Sequence, residues 1–447
     1  MNDADVVVIG AGVAGLAAAV GLSDAGRRVV VVEQAPRLGG RATAFEDRET
    51  GERVDNGQHV LFGCYRETYA FLRRLGTADL APTAARLSLD MAGPEGQFPL
   101  SCFPFTPPLH LVAGLVGWRA IGWRDRLAAA RLAGLLRAVR RDGAEAVAGR
   151  VRPELTVAGW LAERGQTARL NDWLWHPLAY AALNQPPEVA GARAFVRVLG
   201  ELFGARPDAA AVGLSVVPLD RLYALPARDA IEHGGGAVLL RAPARVALDE
   251  AGVLRGVRAG DRTIAAPAVV STVPWHAFDR LWPEGVPAPL AGIAADAAAT
   301  ASSPIVTVNL WLDGPSIEER FVGLVGGPMH WAFNKSAIYG DRTVHLSVVA
   351  SGAVDLAALD NAEITSRAMA QLTRLLPAAR GRRVVRAVVV REHRATFSLA
   401  PGSPPRPRTH TPLPGFFLAG DWTDTGLPGT IEGAVLSGRR AAEAVLK

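Results

Sequence analysis

Cysteine is nearly absent: Cys64 and Cys102 are the only two in 447 residues. They form no Cys-x-x-Cys pair and no metal-type spacing, so neither a disulfide framework nor a metal site is expected. Reduced thiols and a cytoplasmic location are. Lysine is as scarce. Lys335 and Lys447 are the only two, and arginine carries the net charge of +5. No apolar run approaches the ~20 residues of a membrane-spanning helix. The first strand begins by Asp5, which leaves no room for a signal peptide. Internal repeats and aromatic-interleaved basic stripes are missing too, which disfavours nucleic acid as a partner. A net positive charge still permits attraction to an anionic lipid surface.

Against these absences stands one dense signal. Asp5 to Ile9 is an apolar strand, followed by Gly10-Ala11-Gly12-Val13-Ala14-Gly15 and a helical pattern. Gly10 permits a tight turn, Gly12 lets backbone approach a pyrophosphate, and Gly15 lets the helix pack on the strand. Val13 and Ala14 open that helix, whose free N–H groups face the phosphates. Arg27 to Glu33 reads as a second parallel strand. Glu33 ends it 18 residues beyond Gly15, where a carboxylate can accept from an adenosine ribose, with Gln34 beside it. Dinucleotide binding at this end of the chain follows.

Two further blocks decide which dinucleotide. Gly39-Gly40-Arg41-Ala42-Thr43 is a second glycine loop, with Arg41 placed to neutralise a phosphate. At the far end, Gly415 to Asp421 is a short apolar strand ending in Gly420-Asp421, followed by Gly429-Thr430-Ile431-Glu432-Gly433-Ala434. Together these resemble the extended FAD signature of the amine-oxidase, phytoene-desaturase and GDP-dissociation-inhibitor superfamily. The resemblance implies a Rossmann-like, glutathione-reductase-type α/β domain holding FAD, interleaved with an α+β substrate domain. It implies that Asp421 binds the ribityl hydroxyls and that the helix from Thr430 aims its positive end at the flavin N1–O2 edge. The backbone at Val246 would contact the adenine.

The length favours two domains. The FAD domain is expected to be discontinuous, over 1–76, 218–276 and 406–447, leaving 77–217 and 277–405 for the substrate domain. In the middle FAD segment a helix is expected at Leu222–His233. A small sheet is expected from strands Ala237–Leu240, Ala244–Leu248, Gly252–Arg258 and Ala268–Pro274. The first substrate segment reads as helical and tryptophan-rich. The second alternates strands (Ile305–Leu312, Val344–Val349, Val384–Val390) with a helix from Asp360 to Leu376.

The loop Asp55-Asn56-Gly57-Gln58-His59, with Gly63-Cys64-Tyr65-Arg66-Glu67-Thr68 after it, narrows the family. So do Ala181-Ala182-Leu183-Asn184-Gln185-Pro186-Pro187-Glu188 and Gly420 to Pro428. These blocks resemble the squalene-associated FAD-dependent desaturases, which act as hydroxysqualene dehydroxylases. The resemblance implies a hydrophobic C30 isoprenoid substrate and a loop, Gly57 to His59, that returns the chain to the flavin. No second dinucleotide fingerprint appears, so electrons would come from an external donor. Phe103 to Ala138 carries Pro104, Pro107 and Pro108, then Leu109 to Trp118, Arg119, Trp123, Arg124 and Arg126. It suits a helix lying in a membrane interface, which would make the protein peripheral on the inner face; the pattern suits a buried core helix equally.

Removing a hydroxyl as water needs a proton donor. His59 is the first candidate by its loop, and it equally suits a role as a cofactor contact. His176 and Tyr180 follow, although a histidine among tryptophans also suits a packed core. Lys335 stands out because lysine is so rare here, and the resemblance implies a counterpart in the lysine that orders water near the flavin N5 in amine oxidases. Three other activities share the frame: a carotenoid desaturase or isomerase, an amine oxidase, and a non-redox prenyl-binding chaperone.

Overall fold

The computed structural model describes residues 3–103, 105–107, 109–204, 206–340 and 343–447. Pro104 and Pro108, expected to break the chain, lie outside these residues. β1 (Val6–Ile9), α1 (Val13–Asp24) and β2 (Val29–Val32) form as the sequence pattern predicts. Every residue of β1 is buried, as a strand covered on both faces requires. β1 pairs parallel with β2, Val6 opposite Val29. Their sheet has five strands in the order Phe416–Leu418, Ala268–Ser271, β1, β2, Ala237–Leu239, all parallel. Stretches far apart in sequence thus meet in one layer. The C-terminal helix (Ile431–Leu446) lies against α1 so closely that a Cβ on Gly438 would stand 2.3 Å from the carbonyl oxygen of Ala14.

The expected small sheet is redistributed. Ala237–Leu239 and Ala268–Ser271 belong to the parallel sheet, the first as its half-buried edge beside β2 and the second as a buried interior strand beside β1. The separate sheet is antiparallel and built from Ala244–Leu248, Leu254–Ala259 and Arg262–Ala265, the last strand not anticipated. The helix expected from Leu222 starts instead with a wide turn at Asp220–Ala224 and continues regularly over Leu225–His233.

A second layer is a seven-stranded sheet in the order Val384–Phe397, Ser302–Leu312, His345–Ser351, Trp331–Asn334, Phe321–Leu324, Ser88–Gly93, Gly96–Ser101. The last two strands form a hairpin in the stretch expected to be helical. Along Ser302–Leu312 the side chains alternate. Val306, Val308 and Leu310 face helix Asn361–Leu375 in one core, while Ile305 faces a second, opposite core with Val349 and Phe333.

Helices between Leu109 and Phe203 enclose a third core around Trp118, Trp160, Trp173, Trp175 and Phe195. Trp118, read from the sequence as interfacial, is 1% exposed, and its indole donates to the Phe98 carbonyl at 3.1 Å. Leu115 leans on the same core. The outward face is instead Leu109, Val112 and Val116, the i, i+3, i+7 stripe, continued by Trp123 and Leu127. Arg126 does not face outward either; it closes helix Leu109–Gly117 by donating to the carbonyls of Leu115 and Trp118.

Candidate active site

The turn after β1 is a cradle. Gly10 has φ 101°, open to glycine alone at low cost. A Cβ on Gly15 would lie 2.0 Å from the Gly10 carbonyl oxygen, whereas a Cβ on Gly12 would meet nothing within 4 Å. The loop is therefore packed behind and open in front, beside the uncapped N-terminus of α1 at Val13 and Ala14. Gly40 seats its α-carbon against Gly12, where a Cβ would come within 3.2 Å of the Gly12 α-carbon. The hydroxyl of buried Tyr223, which sequence reasoning missed, fixes this second loop on the carbonyls of Gly39, at 3.0 Å, and Ala42. Space and free N–H groups together fit a pyrophosphate.

Glu33 stands at the end of β2 with its carboxylate accepting from Ala11 N–H and Ala35 N–H, both at 2.8 Å. Gln34 beside it is exposed. The strand carrying buried Val246 begins just past the hydrogen bond from Ala242 N–H to the Glu33 carbonyl, 2.9 Å, so the expected adenosine residues share one edge.

Arg41 and Asp421 pair with each other, Nη1 to Oδ2 at 3.0 Å and Nη2 to Oδ1 at 2.5 Å. The sequence assigned them to separate parts of the cofactor; here each also orients the other. Gly420, with φ 123°, precedes this carboxylate, and Gly429 packs behind it. Thr430 caps the C-terminal helix by accepting from Gly433 N–H at 3.1 Å, leaving the first N–H groups at Ile431 and Glu432 facing out. Glu432 sends its carboxylate away from that end, to accept from Glu67 N–H, Thr68 N–H and the Thr68 hydroxyl at 2.7–3.0 Å. Burial pushes its carboxyl above the usual range, against those three bonds. Its side chain is a cap for helix Arg66–Arg74, and Ala434 sits one turn into the C-terminal helix.

The loop Asp55 to His59 lies on the inner face of the seven-stranded sheet, where a Cβ on Gly57 would stand 3.4 Å from Thr307 Oγ1. Lys335, 1% exposed, is bound beneath it by Asp55 (3.0 Å), the Gln58 side-chain oxygen (2.7 Å) and Tyr339 Oη (2.7 Å). A buried lysine needs such a partner set, and Asp55 supplies the opposite charge. His59 is held below its ordinary pKa by burial first, with Lys335 and Arg41 acting the same way and Asp55 against them. The imidazole is accordingly neutral near pH 7.

The loop runs on into Val60–Phe62, which pairs with Val212–Leu214 inside an apolar cluster that also holds Phe333, Val349, Ile305, Phe321 and Trp331. Tyr180 reaches this region and stacks on His330, which sequence reasoning overlooked. His176 does not: it starts helix His176–Leu183 and lies 3.8 Å from Asp172. The Asn184-Gln185 pair has a structural explanation. Asn184, at φ 52°, binds Gly352 N–H, the Ser303 carbonyl and Thr396 Oγ1, and Gln185 binds Ser398 and Leu399 N–H. Together they fasten the helical core to the sheet. A period-2 reading of Ile305 to Leu312 would have exposed Thr307 and Asn309 as polar residues on one face.

A parallel sheet with a glycine cradle at its first turn, a second phosphate loop and a helix end returning from the C-terminus defines an FAD-dependent oxidoreductase. The chain belongs to the flavin containing amine oxidoreductase family, whose profile matches residues 13–446. Among its relatives, a hydroxysqualene dehydroxylase of Sinorhizobium fredii is 32% identical over 99% of this chain and 98% of its own length. A probable zeta-carotene desaturase of Synechococcus elongatus is 27% identical over 99% of this chain and 98% of its own. The fold also matches a solved oxidoreductase from Methanosarcina mazei, with TM-score 0.74 and 18% identity, covering 98% of this chain and 99% of that one. The cofactor is FAD.

Proposed function

We propose that the protein reduces the C30 alcohol hydroxysqualene to squalene. One observation carries this reading: the His59 loop runs into Val60–Phe62, which pairs with Val212–Leu214 and joins an apolar cluster with Ile305, Phe333 and Val349 on the sheet face where Gly57 meets Thr307. Such a surface suits a long isoprenoid chain with its reacting carbon beside the cofactor. The likeness to the Sinorhizobium fredii enzyme supports the same substrate.

Bound and reduced, FAD supplies a hydride from N5. Exchange of the substrate C–O bond for C–H would consume that hydride and one proton drawn from solvent, releasing water. Gly57 to His59 border the reacting region, and neutral His59 serves there as a hydrogen-bond donor to the departing oxygen. Arg41, Asp421, the Gly12 loop and the Thr430 helix end hold the cofactor, with Glu33 on the ribose and Val246 at the adenine. The FAD-binding unit comprises 1–76, 218–276 and 406–447; the rest covers the substrate. Electrons come from an external donor.

The substrate enters from a membrane surface. Val116 is 59% exposed, Trp123 65% and Leu127 59%, with Phe103, Phe105, Leu109 and Val112 around them. The guanidinium of Arg124 lies 5.5 Å from the Trp123 ring centre. An apolar patch rimmed by arginine suits an anionic bilayer interface. Among the described residues no helix is long and apolar enough to cross a membrane, so the contact is peripheral.

The test is anaerobic incubation of the photoreduced holoprotein with hydroxysqualene or, separately, phytoene. Squalene formation with return of oxidised flavin absorbance is expected from the first. Conversion of phytoene alone by the oxidised protein would replace this reading with a carotenoid desaturase.

A further inference from the structure

We infer that His330 and Tyr180 bind the hydroxyl of the substrate, so that the site selects an alcohol over its parent hydrocarbon; this rests on the reading proposed above. His330 Nδ1 accepts the N–H of Ser351 at 3.0 Å. The ring hydrogen is therefore on Nε2. Tyr180, from helix His176–Leu183, stacks on the imidazole with ring centres 4.0 Å apart and planes 20° apart. Burial pushes His330 down to about 4, so it remains a neutral donor at working pH.

Among the described residues, neither the Nε2 hydrogen nor the Tyr180 hydroxyl meets a protein hydrogen-bond partner. Neither atom is among those sealed inside the packed interior, so both border open space. Their position is defined by the sheet. Ser351 lies opposite Ile305 on the apolar inner surface, and Gly57 rests on Thr307. Ile305 and Thr307 are two positions apart along one strand, about 7 Å. From the other side, Gly352 N–H binds Asn184, Asn184 binds Thr396, and Thr396 packs on Gly429 beside Asp421. The donor pair is thus linked by short chains of contacts to Gly57 on one side and to Asp421 on the other.

A hydrocarbon chain bound there would leave both donors unpaired. A hydroxyl group offers a lone pair to His330 Nε2–H and its own hydrogen to the Tyr180 oxygen, leaving its second lone pair for His59. Sites built to hydrogen-bond a hydroxyl reject analogues that lack it. This separates the proposed substrate from the carotenoid hydrocarbons by chemistry resident in the site.

The test is titration of the oxidised holoprotein with hydroxysqualene and with squalene in the same detergent micelles, reading affinity from the perturbed flavin absorbance. Wild type should prefer the alcohol at least about tenfold. His330→Asn retains an acceptor for Ser351 N–H but has no Nε2 donor. It and Tyr180→Phe should each lose most of that preference, with squalene affinity unchanged, while His330→Gln restores part of it. A preference unchanged in both variants overturns the inference, although wild type still makes squalene. Wild type that forms no squalene from the alcohol overturns the parent reading. Wild type that binds both ligands equally overturns this one.

Discussion

Arg41 and Asp421 lie 380 residues apart in the chain and form a two-pronged ion pair, with the guanidinium also donating to the Ala395 carbonyl at 2.8 Å. The guanidinium lies 5.5 Å from the centre of the Trp275 ring. This one pair joins the second glycine loop to the end of the parallel sheet. It gives the Arg41 guanidinium a fixed direction within the protein itself.

Breaking the pair should therefore register twice. In the apoprotein, Asp421→Asn should cost about 1–3 kcal/mol in denaturant unfolding, towards the low end because the Arg41 side chain is 31% exposed. Combining it with Arg41→Ala should cost much less than the sum, since both remove one contact. FAD titration should behave differently. Each single variant should weaken binding, and the double should weaken it further, if each residue contacts the cofactor as proposed. A double variant that binds FAD no worse than Arg41→Ala would leave Asp421 as a support for Arg41 alone.

Gly12→Val separates fold from cofactor. Nothing in the protein lies within 4 Å of a Cβ at this position, so the apoprotein should fold with its melting temperature little changed. The added side chain projects where the pyrophosphate is expected, and FAD content after purification should fall at least about tenfold. Normal flavin content would refute the cradle.

The cofactor half was readable because its constraints are local. Gly10, Gly12 and Gly15 obey steric rules within one turn, and Glu33 follows from strand length. The substrate half was not, because its decisive contacts join distant segments. Nothing near Asn184 in sequence announces that it will bridge Ser303, Thr396 and Gly352. Strand assignment failed for a related reason: Ala237–Leu239 resembles its neighbours in composition, and only its parallel partner, β2, separates it from the antiparallel strands. Trp118 misled because tryptophan beside arginine suits both a lipid interface and a core. Helix phase decides between them, and Gly114 and His110 mark the inward side.

The exposed apolar stripe of Val116, Trp123 and Leu127 gives a directional prediction. Val116→Asp with Leu127→Asp removes two exposed anchors, each worth about 1.5–3 kcal/mol when fully buried in an apolar phase. Co-sedimentation with anionic vesicles should drop about 100-fold while FAD content stays normal. Trp118→Asp should instead unfold the helical core. Unaltered vesicle binding by the double variant would show that the stripe does not touch lipid.

Acid stability should depend on His345. Its ring, 3% exposed, meets the Asn309 side-chain oxygen at 3.0 Å, and burial first, then Lys335, pushes its pKa down to about 3. In the unfolded chain the value returns to about 6.5. Below that pH the unfolded state binds a proton that the native state refuses, so stability falls as pH drops from about 6.5 towards 3, by up to about 1.4 kcal/mol per unit. Above 6.5 there is no effect. His276 and His330, both near 4, add the same sign. His345→Gln should flatten part of the decline in urea midpoint between pH 6.5 and 5. An unchanged slope would mean that the ring takes its proton in the folded protein.

His59 carries the last prediction. Its loop is fixed from below by Lys335 through Gln58 and Asp55, so replacing the imidazole should leave the loop in place. A positioned hydrogen-bond donor to developing charge contributes about 10²–10³ in rate. His59→Ala should retain FAD, and hydroxysqualene should reoxidise its reduced flavin at least ~100-fold more slowly than in wild type. The pH profile distinguishes the form of the donor. Because burial holds His59 below 6.5, its cation is scarce at neutrality, and a neutral N–H donor predicts a wild-type single-turnover rate that is flat from about pH 6.5 to 8. A rate falling tenfold per unit across that range would instead require the cation, and near-wild-type reoxidation in the variant would transfer the role to Tyr180 or His330. Loss of flavin from His59→Ala would make the imidazole a cofactor contact first, consistent with its place beside Gly57.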